Sequence, residues 1–313
     1  MPLDPDVREY LDAQAASGAP PRGEMSVAET REFYLGMRPL AGEAPSLPRV
    51  EDRVVPGPEG PVPIRIYAPA TSRSLPVLVY FHGGRFFSGD LDTHDPVCRM
   101  LAAEAGCLVA AVHYRLAPEH RFPAASEDCY AVTEWVARNA AEISADPEFV
   151  AVGGDSAGGN LAAVTALLAR QRGGSRICFQ MLIYPMLDAT RSLSSHTEYG
   201  SGYGPGSEDM ERGWREYVPP LTDRRHPQIS PLWEADLGGL PPTFVLTAEY
   251  DSLRDEGEEY ARRLAAAGVP VVLTRYPGVI HGFFQLGGVV GMGREGVSDA
   301  ARHLRRAFAA VRT

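Results

Sequence analysis

Eight short apolar runs recur along the chain, at 50–55, 62–67, 77–81, 108–113, 149–152, 177–184, 243–247 and 271–276. Their lengths suit strands, and Val77-Leu78-Val79-Tyr80-Phe81 reads as a fully buried one. Helical spacing of apolar residues predicts helices at 95–104, 127–140, 161–170, 252–267 and 298–312. Gly268 stands where the fourth of these should stop. From Cys107 onward strand and helix alternate, which implies right-handed crossovers and a mostly parallel sheet with helices on both faces.

Two regions depart from that alternation. Residues before about Leu47 are polar and punctuated by proline, with one amphipathic stretch at 27–37 carrying Val27, Phe33, Tyr34 and Met37. Between Tyr184 and Thr243 lie almost sixty residues, too many for a plain loop in a compact domain. They hold a glycine-rich tract at 200–206 and then an N-capped helix starting near Ser207. Loops at the carboxyl ends of strands border the site in open α/β sheets, so this excursion is expected to face the chemistry.

The chemistry centres on Gly154-x-Ser156-x-Gly158, between the strand at 149–152 and the helix at 161–170. Glycines two residues either side let the chain turn sharply and present the serine hydroxyl beside the positive end of a helix. A serine hydroxyl is a poor nucleophile at neutral pH and needs a base, an orienting acid and oxyanion donors. Asp251 follows the strand at 243–247, and His281 follows the one at 271–276. The order Ser, Asp, His, each past a strand end, is that of α/β-hydrolases; chymotrypsin-like and subtilisin-like enzymes use other orders. Asp255 and Glu256 compete with Asp251 for the acid role but fall inside the predicted helix, which favours Asp251. Asp155 is expected to brace the turn rather than transfer protons.

Five ordered motifs carry a resemblance to the bacterial hormone-sensitive-lipase family of carboxylesterases. They are His82-Gly83-Gly84, the run Tyr114-Arg115-Leu116-Ala117-Pro118-Glu119-His120, the elbow Gly154-Asp155-Ser156-Ala157-Gly158-Gly159, Asp251-x-Leu253-x-Asp255-Glu256-Gly257, and His281-Gly282-Phe283. The resemblance implies an α/β-hydrolase fold, an eight-stranded, mostly parallel sheet covered by helices on both faces, with a small helical cap. Residues 47–187 and 231–313 would form the catalytic domain, 1–46 an N-terminal cap segment and 188–230 a cap insertion. Ser156, Asp251 and His281 would form the catalytic triad of a serine carboxylesterase acting through an acyl-enzyme. The oxyanion hole would draw on the N–H groups of Gly83, Gly84, Arg85 and Ala157.

Arg85 stands where the family usually has a third glycine. Arginine keeps its N–H but resists a positive φ, which costs ~1–3 kcal/mol and needs support from its surroundings. The expectation is mild strain with the side chain directed outward; the alternative is contact with an acidic substrate group or a cap carboxylate. The run from Tyr114 to His120 reads as a structural turn, with Arg115 and Glu119 pairing or hydrogen-bonding within that loop network. Phe33, Tyr34, Tyr199, Tyr203 and Trp214 lie in the two cap segments and are expected to enclose a shallow pocket suited to short acyl chains.

Composition narrows the function further. All 30 basic residues are arginine, which removes Ser-x-x-Lys esterases, Walker-type nucleotide sites and Schiff-base chemistry together. A net charge of −10 with no basic stripe disfavours nucleic acid and anionic membranes as partners. Cys98, Cys107, Cys129 and Cys178 show neither metal spacing nor a disulfide framework and read as buried thiols. His94, His113, His120, His196, His226 and His303 lack metal-ligand spacing, so no metal is expected, and the triad chemistry implies no cofactor. The acidic start, Met1 to Asp6, is unlike a signal peptide, and a cytoplasmic enzyme is expected. The partner is a small-molecule ester, and a homodimer stays open. Two rivals remain at this stage. One is a hydrolase of amides, lactones or carbamates on the same triad. The other is a non-catalytic receptor on the same scaffold, as in plant gibberellin receptors, which lack the histidine.

Overall fold

The computed structural model describes residues 2–18, 22–71 and 74–311. The apolar runs form one eight-stranded sheet in the order β1-β2-β4-β3-β5-β6-β7-β8. These strands are β1 (Arg49–Gly57), β2 (Gly60–Ala68), β3 (Leu75–Phe81), β4 (Leu108–Val112), β5 (Ala145–Asp155), β6 (Phe179–Ile183), β7 (Thr243–Tyr250) and β8 (Val271–Ile280). From β4 to β8 every neighbouring pair is parallel, whereas β2 runs antiparallel to both β1 and β4.

Burial on both faces explains why the central strands are apolar throughout. All seven residues of β3 are buried. Successive side chains point to opposite faces, so Val77, Val79 and Phe81 join one core and Leu78 and Tyr80 the other. The first core is covered by α4 (Ala124–Arg138), α6 (Ala157–Arg172) and α9 (Arg254–Ala266), which supply Val132, Leu161, Leu167 and Leu264. The second is covered by α3 (Asp95–Ala105) and α10 (Gly291–Val311), with Leu101, Leu304 and Phe308. Each such side chain contributes ~1.5–3 kcal/mol on burial. Cys98, Cys107, Cys129 and Cys178 are buried free thiols in these layers.

Two helices depart from the pattern-based expectation. An unforeseen helix, α1 (Pro5–Ala16), begins the chain, its first N–H groups capped by Asp4, whose carboxylate accepts from Asp6 and Val7 at 2.9 and 3.4 Å. The next helix, α2 (Val27–Gly36), carries a capping box between Ser26 and Glu29. Helix α10 starts at Gly291 rather than 298, because Gly293 and Gly296 pass against Phe283 where a Cβ would crowd it. Low glycine propensity hides that first turn in the sequence, and close packing explains it in the fold. Among the described residues, no helix is long and apolar enough to cross a membrane.

Candidate active site

Strand β5 runs straight into α6 through Ser156, which sits at φ 56° and ψ −118°. Tertiary hydrogen bonds hold this strained residue: its N–H donates to the Ile183 carbonyl at 2.8 Å, and its carbonyl accepts from Asn160 and Met186. The flanking glycines answer a second constraint. A Cβ on Gly154 or Gly158 would run into the Phe81 carbonyl oxygen at the end of β3. The turn therefore presents the Ser156 hydroxyl over the sheet edge, at the positive end of the α6 dipole.

Asp251 follows β7 directly and His281 follows β8 directly. The two meet at 2.8 Å between His281 Nδ1 and Asp251 Oδ2, while His281 Nε2 lies 3.0 Å from Ser156 Oγ. A proton on Nδ1 donated to the carboxylate leaves Nε2 free to accept from the serine hydroxyl. The other Asp251 oxygen accepts from the Leu253 N–H at 2.8 Å, fixing the carboxylate in the turn. All three side chains are buried. The competing acids are occupied elsewhere. Asp255 accepts from Ser194 and Ser195 and pairs with Arg254, and Glu256 accepts from the Leu187 N–H.

Asp155 braces more than the elbow. Its carboxylate accepts from Tyr80 at 2.7 Å, from the Gly83 N–H at 3.0 Å and from Gln285 at 2.8 Å, with His94 Nε2 at 3.2 Å. Burial alone would raise its pKa, but His94 and the hydrogen bonds hold it down to about 2. Asp155 thus ties the turn at Ser156 to the loop after β3 and the loop after His281. Gln285 and His94 have no signal in the linear sequence, since only the fold brings them together.

The Asp155 contact corrects one expectation about the oxyanion loop. The Gly83 N–H is committed to Asp155 and His94, so it is not a free donor. The N–H groups of Gly84, Arg85 and Ala157 have no partner among the described residues. Gly84 adopts φ 122°, and a Cβ there would strike the Ser88 carbonyl, so this position needs glycine. Arg85 and Phe86 follow at φ 57° and 65°, both in the left-handed region.

Arg85 also departs from the outward, mildly strained expectation. Its side chain is only 3% exposed and lies under helix α8 (Ser207–Tyr217), with Nη1 3.1 Å from Asp209. The cap-carboxylate alternative is the one the structure contains, because the turn aims the arginine back into the protein.

Behind this loop His82 is buried and stacked on Tyr114 at 4.3 Å, and the Tyr114 hydroxyl donates to the His82 carbonyl at 2.8 Å. Arg115 and Glu119 do not stay within their own loop as expected. Arg115 pairs with Asp128 and Glu59, and Glu119 pairs with Arg31 of α2. Burial, reinforced by neighbouring His94, lowers the His82 pKa from 6.5 to about 3. Because unfolded His82 takes up a proton near its ordinary pKa and folded His82 does not, the unfolded state binds more protons from about pH 6.5 down to about 3. Stability from this group is therefore lost as pH falls through that window. Urea unfolding at pH 7, 5.5 and 4.5 is expected to show a falling midpoint, with a flatter dependence in His82→Asn; equal slopes in the two proteins would refute the assignment.

A cavity of about 50 Å³ surrounds Ser156 and His281, walled by Tyr10, Phe33, Tyr34, Met37, Tyr184 and Leu286 among others. Tyr10, Arg22, Phe33 and Met37 also line an adjoining groove of about 720 Å³. Of the expected lid aromatics, Phe33 and Tyr34 reach the cavity. Trp214 instead packs on Phe86 at 5.1 Å, and Tyr199 and Tyr203 pack on Tyr250. Tyr10, on the unforeseen α1, takes a place in the wall; the Asp4-Pro5 pair was its sequence signal. No group of His, Cys, Asp and Glu suited to a metal ion occurs among the described residues.

Residues 78–285 match the alpha/beta hydrolase fold family. The chain is 42% identical to the carboxylesterase NlhH of Mycobacterium tuberculosis, over 98% of this chain and 96% of that one. It is 36% identical to the ethyl acetate hydrolase of Pseudomonas putida, over 95% and 96% of the two chains. A hyperthermophilic esterase from the archaeon Pyrobaculum calidifontis superposes with a TM-score of 0.92 at 45% identity, covering 99% of this chain and all of that one. Such identity over nearly whole chains places an enzyme, not a receptor, on this scaffold. The chain belongs to the hormone-sensitive-lipase-like carboxylesterases of the α/β-hydrolase superfamily and is a carboxylic-ester hydrolase.

Proposed function

We propose that Ser156, His281 and Asp251 are the catalytic triad and that the enzyme hydrolyses short-chain carboxylic esters. The relay from Asp251 through His281 to Ser156, with contacts of 2.8 and 3.0 Å, is the observation that carries this reading. His281 Nε2 takes the hydroxyl proton as Ser156 Oγ attacks the ester carbonyl, and Asp251 stabilises the imidazolium that forms. The N–H groups of Gly84, Arg85 and Ala157 face the developing oxyanion; each donor is typically worth ~3 kcal/mol in the transition state. As the tetrahedral intermediate collapses, His281 gives its proton to the leaving alcohol. Water then adds to the acyl-enzyme by the same route and releases the acid. No cofactor enters these steps.

The substrate preference follows from the walls. We place residues 1–46 and 188–230 as the cap and 47–187 with 231–313 as the catalytic domain, a division supported by Tyr10, Phe33, Tyr34 and Pro205 lining the cavity. A space of about 50 Å³ closed by aromatic rings favours a small acyl group, with the larger groove open to the other limb of the ester. Across p-nitrophenyl esters from acetate to dodecanoate, kcat/KM is expected to peak at the short end and fall at least ~10-fold by the longest. An anilide and a lactone run beside them test the acyl class. Interfacial activation on triglyceride emulsions, or an amide turned over faster than the esters, would overturn the reading.

A further inference from the structure

We propose that Arg85 is a positioning residue: its side chain bolts the oxyanion loop to cap helix α8 through Asp209, so that cap seating sets the alignment of the oxyanion donors. The proposal rests on the reading of Gly84, Arg85 and Ala157 as those donors. Three observations converge on it.

First, the loop is held in a conformation it would not choose. Arg85 and Phe86 both lie in the left-handed region, at φ 57° and 65°, although neither is glycine. Such backbone persists only where the surroundings impose it. Second, while the Gly84 carbonyl accepts from the Phe87 and Ser88 N–H groups and the Phe86 carbonyl from Ala117, the side chains of Arg85 and Phe86 are anchored largely on α8. The Arg85 guanidinium donates to Asp209 at 3.1 Å and lies over the rings of Phe87 and Tyr34, at 4.9 and 5.6 Å. Phe86 stacks on Tyr217 at 3.9 Å with rings 6° apart and packs on Trp214. Gly213 lets α8 come this close, since a Cβ there would lie 2.8 Å from the Arg85 Cβ. Third, the charge has one counter-ion. Arg85 Nε is buried without a partner, and Asp209 is the only carboxylate paired with the guanidinium among the described residues. Asp209 is itself locked, its second oxygen accepting from the Gly206 N–H at the start of α8.

The physical consequence is a lever. A glycine at this position would leave the loop free to choose its own backbone. The arginine makes the same N–H depend on a contact across to the cap. If the Asp209 contact is lost, a buried cation is left unpaired, and Arg85 loses the charged contact that fixes its side chain while the turn's own backbone bonds remain. The N–H groups then leave the line of the oxyanion. Tyr34 carries the coupling one step further, because it both faces the guanidinium and lines the cavity at Ser156. Misaligned donors act on the transition state and hardly on the bound ester, so the effect falls on kcat rather than on KM.

The test is a double-mutant cycle with Arg85→Met, which removes the charge but keeps a long side chain over Phe87, and Asp209→Asn, which keeps an acceptor for Gly206. Each single variant is expected to lose ~10-fold or more in kcat on p-nitrophenyl acetate with KM within ~2-fold, since one fully lost donor costs ~10²–10³. Affinity for a trifluoromethyl ketone, which fills the oxyanion hole, should weaken by the same factor as kcat. The double variant should be no worse than the poorer single one, because both changes break one contact. If Arg85→Met fails to fold, Asp209→Asn decides alone. A fall in melting temperature with kcat within ~2-fold of wild type, or a loss confined to KM, would overturn the proposal. A fluorophosphonate run on the same proteins separates the two levels. Labelling at Ser156 with unchanged kcat in the variants removes only the Arg85 coupling. Failure to label Ser156 in the wild type removes the triad reading, and the coupling with it.

Discussion

Ser156→Ala is expected to abolish ester turnover, with kcat falling by ~10⁶ as in other triads that lose the nucleophile, while the protein stays folded. The expectation of an intact fold comes from what the side chain does and does not support. The bonds that hold the elbow are backbone bonds, from Ser156 N–H to Ile183 and from Asn160 and Met186 to the Ser156 carbonyl. Alanine keeps all of them at the same φ of 56° and gives up only the contact from Oγ to His281. The melting temperature should therefore move little. A fluorophosphonate should add to one serine in the wild type, Ser156, and to none in the variant. Substantial turnover in Ser156→Ala, or a label on a different residue, would sink the assignment.

The second large effect concerns the acid. In Asp251→Asn the amide can donate to His281 Nδ1, which stabilises the wrong tautomer and leaves Nε2 protonated toward the serine. The Ser-His-Asp template then predicts a loss of ~10⁴ in kcat. Asp255→Asn should be mild by comparison, because Asp255 serves Ser194, Ser195 and Arg254 at the start of α9 and does not touch His281. Both variants keep a hydrogen-bond acceptor in place, so circular dichroism should match the wild type in each. Reversed phenotypes would mean that the acid has been misassigned.

The residues that meet at the site were readable because each is written into its own strand end. Ser156 lies between two glycines after an apolar run, Asp251 ends another, and His281 with Gly282 follows a third. A parallel sheet brings such ends to one edge whatever the order of the strands. Strand number and helix positions were readable for the same reason: period and length are local properties. Helix α1 was missed although Asp4 and Pro5 announce it, since an apolar stripe that thin resembles a polar tail.

What the fold alone decided are matters of direction and partnership. Glycine spacing predicts a tight turn at Ser156. That Gly154 and Gly158 must clear the Phe81 carbonyl is a fact about the neighbouring strand. The His82 run announced backbone donors, yet the Gly83 N–H is spent on Asp155, a residue 72 positions away. The lid aromatics could be counted in the sequence. Which of them line the cavity depended on Trp214 and Tyr203 finding closer partners in Phe86 and Tyr250. Arg85 shows the division most sharply. Its replacement of a glycine is visible in the string of letters. Its burial beneath α8 requires Asp209, 124 residues further on, and a cap helix with glycine at the point of contact. Local sequence sets period, turn and the chemistry available; long-range packing sets which atoms face each other, because burial, pairing and clash depend on distances that no linear spacing contains.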